Sequence, residues 1–205
     1  MFQRLLDGHG FEFATWDVVD MDFPKDVHSA DGWLLSGSRH GAYEDLPFIP
    51  PLENFIRTAY KAHVPMVGVC FGHQIIAQAL GGKVEKHDDG WAIGHQIYEF
   101  DTLGKLAINA WHQDQVTQLP EGAKVIAGND FCRFAALVYD DRVYSVQPHP
   151  EFSSPLLGEY LALRKAQPEY PTDVMEGAEN RLDQPTDSAV IGNEIAQFFL
   201  NRKEA

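Results

Sequence analysis

With 205 residues, 44% of them hydrophobic, the chain can bury a sizeable core, and its length favours one domain over residues 1–205 rather than two. Its 30 acidic against 16 basic side chains give a formal net charge of -14, which repels phosphate backbones and anionic bilayers and argues against nucleic acid or membrane as a partner. There is no apolar run of about 18 residues and no signal-like opening, so a soluble cytoplasmic protein is expected, with Cys70 and Cys132 as free thiols.

Phe2, Leu5 and Leu6 stand at helical spacing, and Gly8 and Gly10 end that piece. FEFATWDVV then alternates like a strand, and GWLL reads as another. Pro50 and Pro51 suit the first turn of a helix through LENFIRTAYKAH. VPMVGVC follows as a continuous apolar strand of the kind covered on both faces, completing a β-α-β pattern. From Val84 to about Val146 the runs WAIGHQIYEF, LAINAWH, AKVIAGN, FCRFAALVYD and RVYSVQ are strand-like and broken by Gly, Asp and Pro, as hairpins would be. PLLGEYLALRKA and SAVIGNEIAQFFLNRK return to helical spacing. The polar, proline-bearing stretch between them is expected to be a surface loop with room for one helical turn.

Two strand ends carry the chemistry. MVGVC turning at Gly72 into HQIIAQAL predicts a sharp elbow that lifts Cys70 above the sheet edge beside a helix N-terminus, where the dipole favours a thiolate. A lone cysteine there is more often a small buried hydrophobe. QPHPEF shifts that balance. His149 and Glu151, two apart in an extended, proline-flanked piece, would point the same way, the carboxylate fixing the imidazole. Cys70 would then be the nucleophile, His149 the base and Glu151 its orienter. A third turn, SGSRHGAY after GWLL, is expected near the elbow, where backbone N–H groups of Gly37 or Ser38 would join that of Phe71 in an oxyanion hole.

SGSRHGAY, GVCFGHQ, GWAIG and QPHPEF, in this order along the chain, resemble the class I glutamine amidotransferases of the triad type. The resemblance implies an α/β fold with a flavodoxin-like open, mostly parallel sheet, helices on both faces and an additional antiparallel β segment. It implies a γ-glutamyl thioester on Cys70 and release of ammonia or an amine. It assigns Gln74 to glutamine binding and the backbone of Trp111, His112 and Gln113 to the amino-acid end of the substrate. Gln113 stands where the family often has glycine. Family members begin with a strand, whereas this chain begins in the first helix, so the resemblance implies a strand ahead of Met1. Ser36-Gly37-Ser38-Arg39-His40 in place of SGGP is closer to stand-alone members similar to the GMP synthetase amidotransferase domain and to cytosolic γ-glutamyl peptidases.

Three functions are open at this level: a hydrolase of γ-glutamyl amides, a glutaminase subunit feeding ammonia to a separate synthetase, and a non-catalytic interaction module. The complete Cys-His-Glu set argues against the last. A small-molecule γ-glutamyl substrate is implied, with no cofactor and no metal, since the histidines lack ligand spacing. Gly81-Gly82 reads as a helix C-cap rather than a phosphate loop. Trp91 and Gly94 are candidates to line the pocket, Cys132 is expected in the core, and Glu44 and Asp45 on a solvated face.

Overall fold

Alternation of side chains along two neighbouring central strands decides where the helices lie. The computed structural model describes residues 1–201. Its first half holds helix α1 (Phe2–Leu5), strand β1 (Trp33–Leu35), helix α2 (Ile49–Lys61), strand β2 (Met66–Val69) and helix α3 (Phe71–Ala79). Six strands follow: β3 (Lys83–Lys86), β4 (Ala92–Phe100), β5 (Gly104–His112), β6 (Asp114–Gln118), β7 (Ala123–Gly128) and β8 (Ala136–Tyr139). Strand β9 (Val143–Val146) and helices α4 (Ser154–Arg164), α5 (Thr172–Glu179) and α6 (Ser188–Leu200) complete the described chain.

On β2, Met66 points into a core shared with α2 and α3, while Val67 and Val69 point into one shared with α6. On β9, Val143 and Tyr144 divide the same way. A strand buried on both faces needs apolar residues at both parities, which is why VPMVGVC shows no alternation. The α/β architecture with helices on both faces is therefore present. Seven strands form one sheet in the order β1-β2-β9-β8-β7-β4-β5, and β3 pairs with β6 apart from it. Parallel pairing is confined to β1, β2 and β9; the pairings from β9 out to β5 are antiparallel. The antiparallel segment thus continues the main sheet edge-on, and only β3 and β6 form a separate ribbon.

Several expectations need correction. Residues 11–17 have the alternation of a strand yet form none, because β1 ends the sheet and, among the described residues, no strand lies beyond it to pair with them. They instead line a groove of about 1530 Å³ whose other wall includes Trp33, Leu34 and Leu35. In FCRFAALVYD only Ala136–Tyr139 is strand; Asn129 Oδ1 accepts the N–H groups of Phe131 and Cys132 and turns the chain there instead. Between α4 and α6 the expected loop contains the two-turn helix α5, nucleated by burial of Met175 and Ala178 against β4. At Gly94, φ is +79° and a Cβ would stand 2.7 Å from that of Ala178, so this glycine admits α5 to the sheet. Among the described residues no helix is long and apolar enough to cross a membrane.

Candidate functional site

Strand β2 ends and α3 begins at Cys70, whose φ of 53° and ψ of -105° place a non-glycine residue in a sparsely populated region. The surroundings hold it there: its N–H donates to the Val146 carbonyl at 2.9 Å, and its carbonyl accepts from the Gln74 N–H at 3.0 Å. Gly72 makes the elbow possible, since any Cβ at that position would run into the Leu35 carbonyl at the end of β1. The Phe71 N–H opens α3, where helix geometry leaves the first donors without intrahelical acceptors.

His149 and Glu151 reach Cys70 from beyond β9, but not in the extended segment expected. Pro150 and Glu151 are the central residues of a tight turn closed by the Phe152 N–H donating to the His149 carbonyl at 3.1 Å. Proline's fixed φ suits the second position of such a turn. Within it, His149 Nδ1 lies 2.7 Å from Glu151 Oε1, with both side chains buried. Burial alone would lower the imidazole's affinity for a proton; the Cys70 sulfur and the Glu151 carboxylate outweigh it and raise the pKa of His149 well above its ordinary value. Phe152 stacks on the His149 ring at 4.1 Å between centroids, and Tyr160 stacks on Phe152 at 5.3 Å.

Gly37 joins them. A Cβ there would stand 2.9 Å from His149 Cε1 and 3.7 Å from Cys70 Cβ, so only glycine lets this loop approach the pair so closely. Ser38 uses its hydroxyl to accept from the His40 N–H at 3.1 Å. The loop is anchored by Gln78 Nε2 donating to the Ala42 carbonyl at 2.6 Å and by the Tyr43 hydroxyl donating to Asp114 at 3.1 Å. Glu44, expected only to be solvated, also accepts the Gly41 N–H at 2.7 Å.

The remaining sequence-predicted positions gather around the same turn. The Trp111 carbonyl lies 4.0 Å from Cys70 Sγ. The His112 ring is buried against Phe131, and burial, reinforced by His149 nearby, lowers its pKa to about 3, so it is neutral. The Gln113 carbonyl accepts from the His87 N–H at 3.1 Å. Gln74 is buried, and its Nε2 donates to the Asp114 carbonyl at 2.8 Å and to Gln147 Oε1 at 3.1 Å, bracing the turn under the cysteine. His73 lies beneath the elbow, bonded to Ser145 Oγ at 2.9 Å, and burial lowers it to about 3. Cys132 is in the core, where burial pushes its thiol up to about 12. Trp91 packs on Tyr170, which meets Trp111 at 5.4 Å. Among the described residues no three His, Cys, Asp or Glu side chains gather to hold a metal ion. Sequence reasoning missed Gln147, Asn109, Tyr160 and Tyr170; Gln147 opens QPHPEF but has no role assigned from the sequence, the other three sit in no motif, and α4 with the connection after it brings the tyrosines in from a distance.

The arrangement sets a thiol, an imidazole backed by a carboxylate, and a backbone loop on one another, which is the equipment for acyl transfer. The chain is similar to γ-glutamyl peptidase 4 of Arabidopsis thaliana, 31% identical over 77% of this chain and 68% of that one. It is 34% identical to the glutamine-hydrolysing GMP synthase of Azoarcus sp. over 79% of this chain but only 33% of that protein. A crystal structure of a glutamine amido transferase from Methylobacillus flagellatus superposes with a TM-score of 0.79 at 25% identity, covering 98% of this chain and 87% of that one. The family model Glutamine amidotransferase class-I matches residues 10–165, a span that takes in the Gly37 loop, the Cys70 elbow and the His149 turn. The chain belongs to the class I glutamine amidotransferase family.

Proposed function

We propose that this domain hydrolyses a γ-glutamyl amide, glutamine or a γ-glutamyl amine or peptide, through a γ-glutamyl thioester on Cys70. The observation that carries the reading is the convergence on Cys70 of His149, bonded to Glu151 at 2.7 Å, and of Gly37. With Nδ1 committed to Glu151, Nε2 is the nitrogen left to exchange a proton with the thiol. Cys70 passes its proton to His149 and attacks the γ-carbonyl. The resulting oxyanion is received by the Phe71 N–H together with that of Gly37 or Ser38. Collapse breaks the C–N bond as His149 returns the proton to the leaving nitrogen. Water, deprotonated by His149, then cleaves the thioester and frees glutamate. Glu151 holds the imidazole's tautomer and stabilises the imidazolium.

In this scheme Gln74 takes part in substrate binding and the backbone from Trp111 to Gln113 holds the amino-acid end; no cofactor is needed. We read the chain as one such domain acting in the cytoplasm, where the free thiol of Cys70 stays reduced. The second reading, ammonia delivery to a separate synthetase subunit, draws on the likeness to part of a GMP synthase. The test is kcat/KM for glutamate release over a panel of γ-glutamyl amides and peptides, with Cys70→Ala as control and with and without a synthetase from the same cell. Hydrolysis unaided, with at least one compound preferred to glutamine and none by Cys70→Ala, is expected. Negligible turnover alone, rising at least about tenfold (roughly 1.4 kcal/mol of barrier) with the synthetase, would favour the second reading.

A further inference from the structure

The tight turn that carries His149 and Glu151 is not fixed by the strand it leaves. Strand β9 ends at Val146, and the groups of the turn's two end residues divide into pairs. The His149 carbonyl and the Phe152 N–H close the turn on itself. The other two, the His149 N–H and the Phe152 carbonyl, both bond to one residue of the distant strand β5. The His149 N–H donates to the Asn109 carbonyl at 2.8 Å, and Asn109 Nδ2 donates to the Phe152 carbonyl at 2.9 Å. Asn109 is 2% exposed, and both bonds are shielded from water. A backbone carbonyl could be supplied by any residue there; the second bond requires a side-chain donor of this length.

We propose that Asn109 is a positioning residue for the reaction, a two-point clamp that sets His149 and Glu151 against Cys70. The inference rests on the reaction scheme above. Its physical content is that Pro150 and Glu151 lie between the two anchored ends. With the Phe152 end released, the Glu151 carboxylate can leave His149 Nδ1, and the Phe152 ring can slide off the imidazole it stacks on. The titratable groups facing His149 are Cys70 from the elbow, Glu151 from its own turn and His112 at the end of β5, the last kept neutral by burial. Glu151 is the anion that the clamp controls. Weakening its contact lowers the pH at which the imidazolium gives up its proton.

The experiment measures covalent labelling of Cys70 by a chloroketone analogue of glutamine as a function of pH, followed by the mass of the Cys70 peptide, together with kcat and KM where turnover is seen. Asn109→Leu fills the same space without the donor. It is expected to slow labelling roughly 10- to 100-fold, as about 1 Å of misplacement does, and to lower kcat rather than raise KM. The upper pH limit of the labelling profile should also move down, by about half a unit or more, because loss of a neighbouring anion disfavours the imidazolium. Asn109→Ser, whose hydroxyl is too short to reach Phe152, carries the same expectations if the leucine variant does not fold. A variant of lower melting temperature whose folded protein keeps the wild-type rate and pH limits would overturn the clamp. His149→Ala separates this from the scheme itself: labelling at the wild-type rate in His149→Ala would sink the general base, and with it the reaction.

Discussion

The two edges of the seven-stranded sheet are treated in opposite ways. At β5 the outward-facing backbone is covered: Ala107 exchanges bonds with Asp187, receiving its N–H at 2.7 Å and donating to its carboxylate at 2.8 Å, while the Asn109 carbonyl takes the N–H of His149. At β1 there is, among the described residues, a strand on one side only, and on the other lies the groove of about 1530 Å³, whose lining mixes apolar and polar side chains and includes Gly37, Ser38 and Phe71. An edge strand must have its polar groups met by something. The covered edge meets them with the catalytic turn itself, so closing the sheet and positioning the site are one act. The open edge leaves one wall of the Gly37 loop without a neighbour in the sheet.

The sharpest way to break the covered side is to remove the charge it positions. Glu151→Gln should lower kcat by about 10²- to 10⁴-fold, less than Cys70→Ala, while labelling of Cys70 stays detectable, because the ring keeps its place and loses the anion behind it. Wild-type kcat in that variant would reassign the third member of the site.

Acid should find the same side. His73 and His112 are both lowered to about 3 by burial, so the folded protein keeps them neutral while the unfolded chain protonates them near 6.5. The unfolded state therefore binds more protons below that pH, and stability is lost as pH falls from about 6.5 toward 3, by roughly 1.4 kcal/mol per pH unit per histidine. Denaturant titrations at pH 7 and pH 5 should differ by about 4 kcal/mol from these two groups. Equal midpoints would show that the rings are not held neutral.

The open side is tested by filling it. We propose that the groove takes a further strand parallel to β1. A version carrying an alternating apolar, strand-forming segment ahead of Met1 should melt about 5 °C or more higher, since each kcal/mol moves Tm by about 2–4 °C in a domain of this size. Because the groove's lining includes Gly37, such a segment should also steady the oxyanion side. An unchanged Tm would mean that the groove is not a strand site.

The smallest effect is expected from Asp187→Ala, whose carboxylate bonds β5 at Ala107, two residues along the strand from the clamp. It leaves the Ala107 N–H without its carboxylate and should destabilise by about 1 kcal/mol while leaving the pH limits of Cys70 labelling in place. A shift of those limits would make the whole edge, rather than Asn109, the positioning device.

Much of this was legible in the residues themselves. The doubly buried β2 showed as an unbroken apolar run, and the elbow as glycine after cysteine, because both follow from local sterics. Cys70, His149, Glu151 and Gly37 could be named for the same reason: each sits at a strand end with its own turn chemistry. Pro150 made the bend at His149 readable, although extended geometry was expected and a closed turn found. What no local pattern could show is which distant groups satisfy that turn. Asn109 looks like any polar residue in a strand, and its role exists only because β5 is an edge whose free carbonyl lies opposite His149. Residues 11–17 failed in the opposite sense, since their alternation is that of a strand, yet a strand forms only with a partner to bond to. Helix α5 likewise came from burial against β4 rather than from its own polar sequence. Local sterics and periodicity determine what a segment can become; pairing and burial, which depend on residues far away in the chain, decide what it is and which side chains it holds in place.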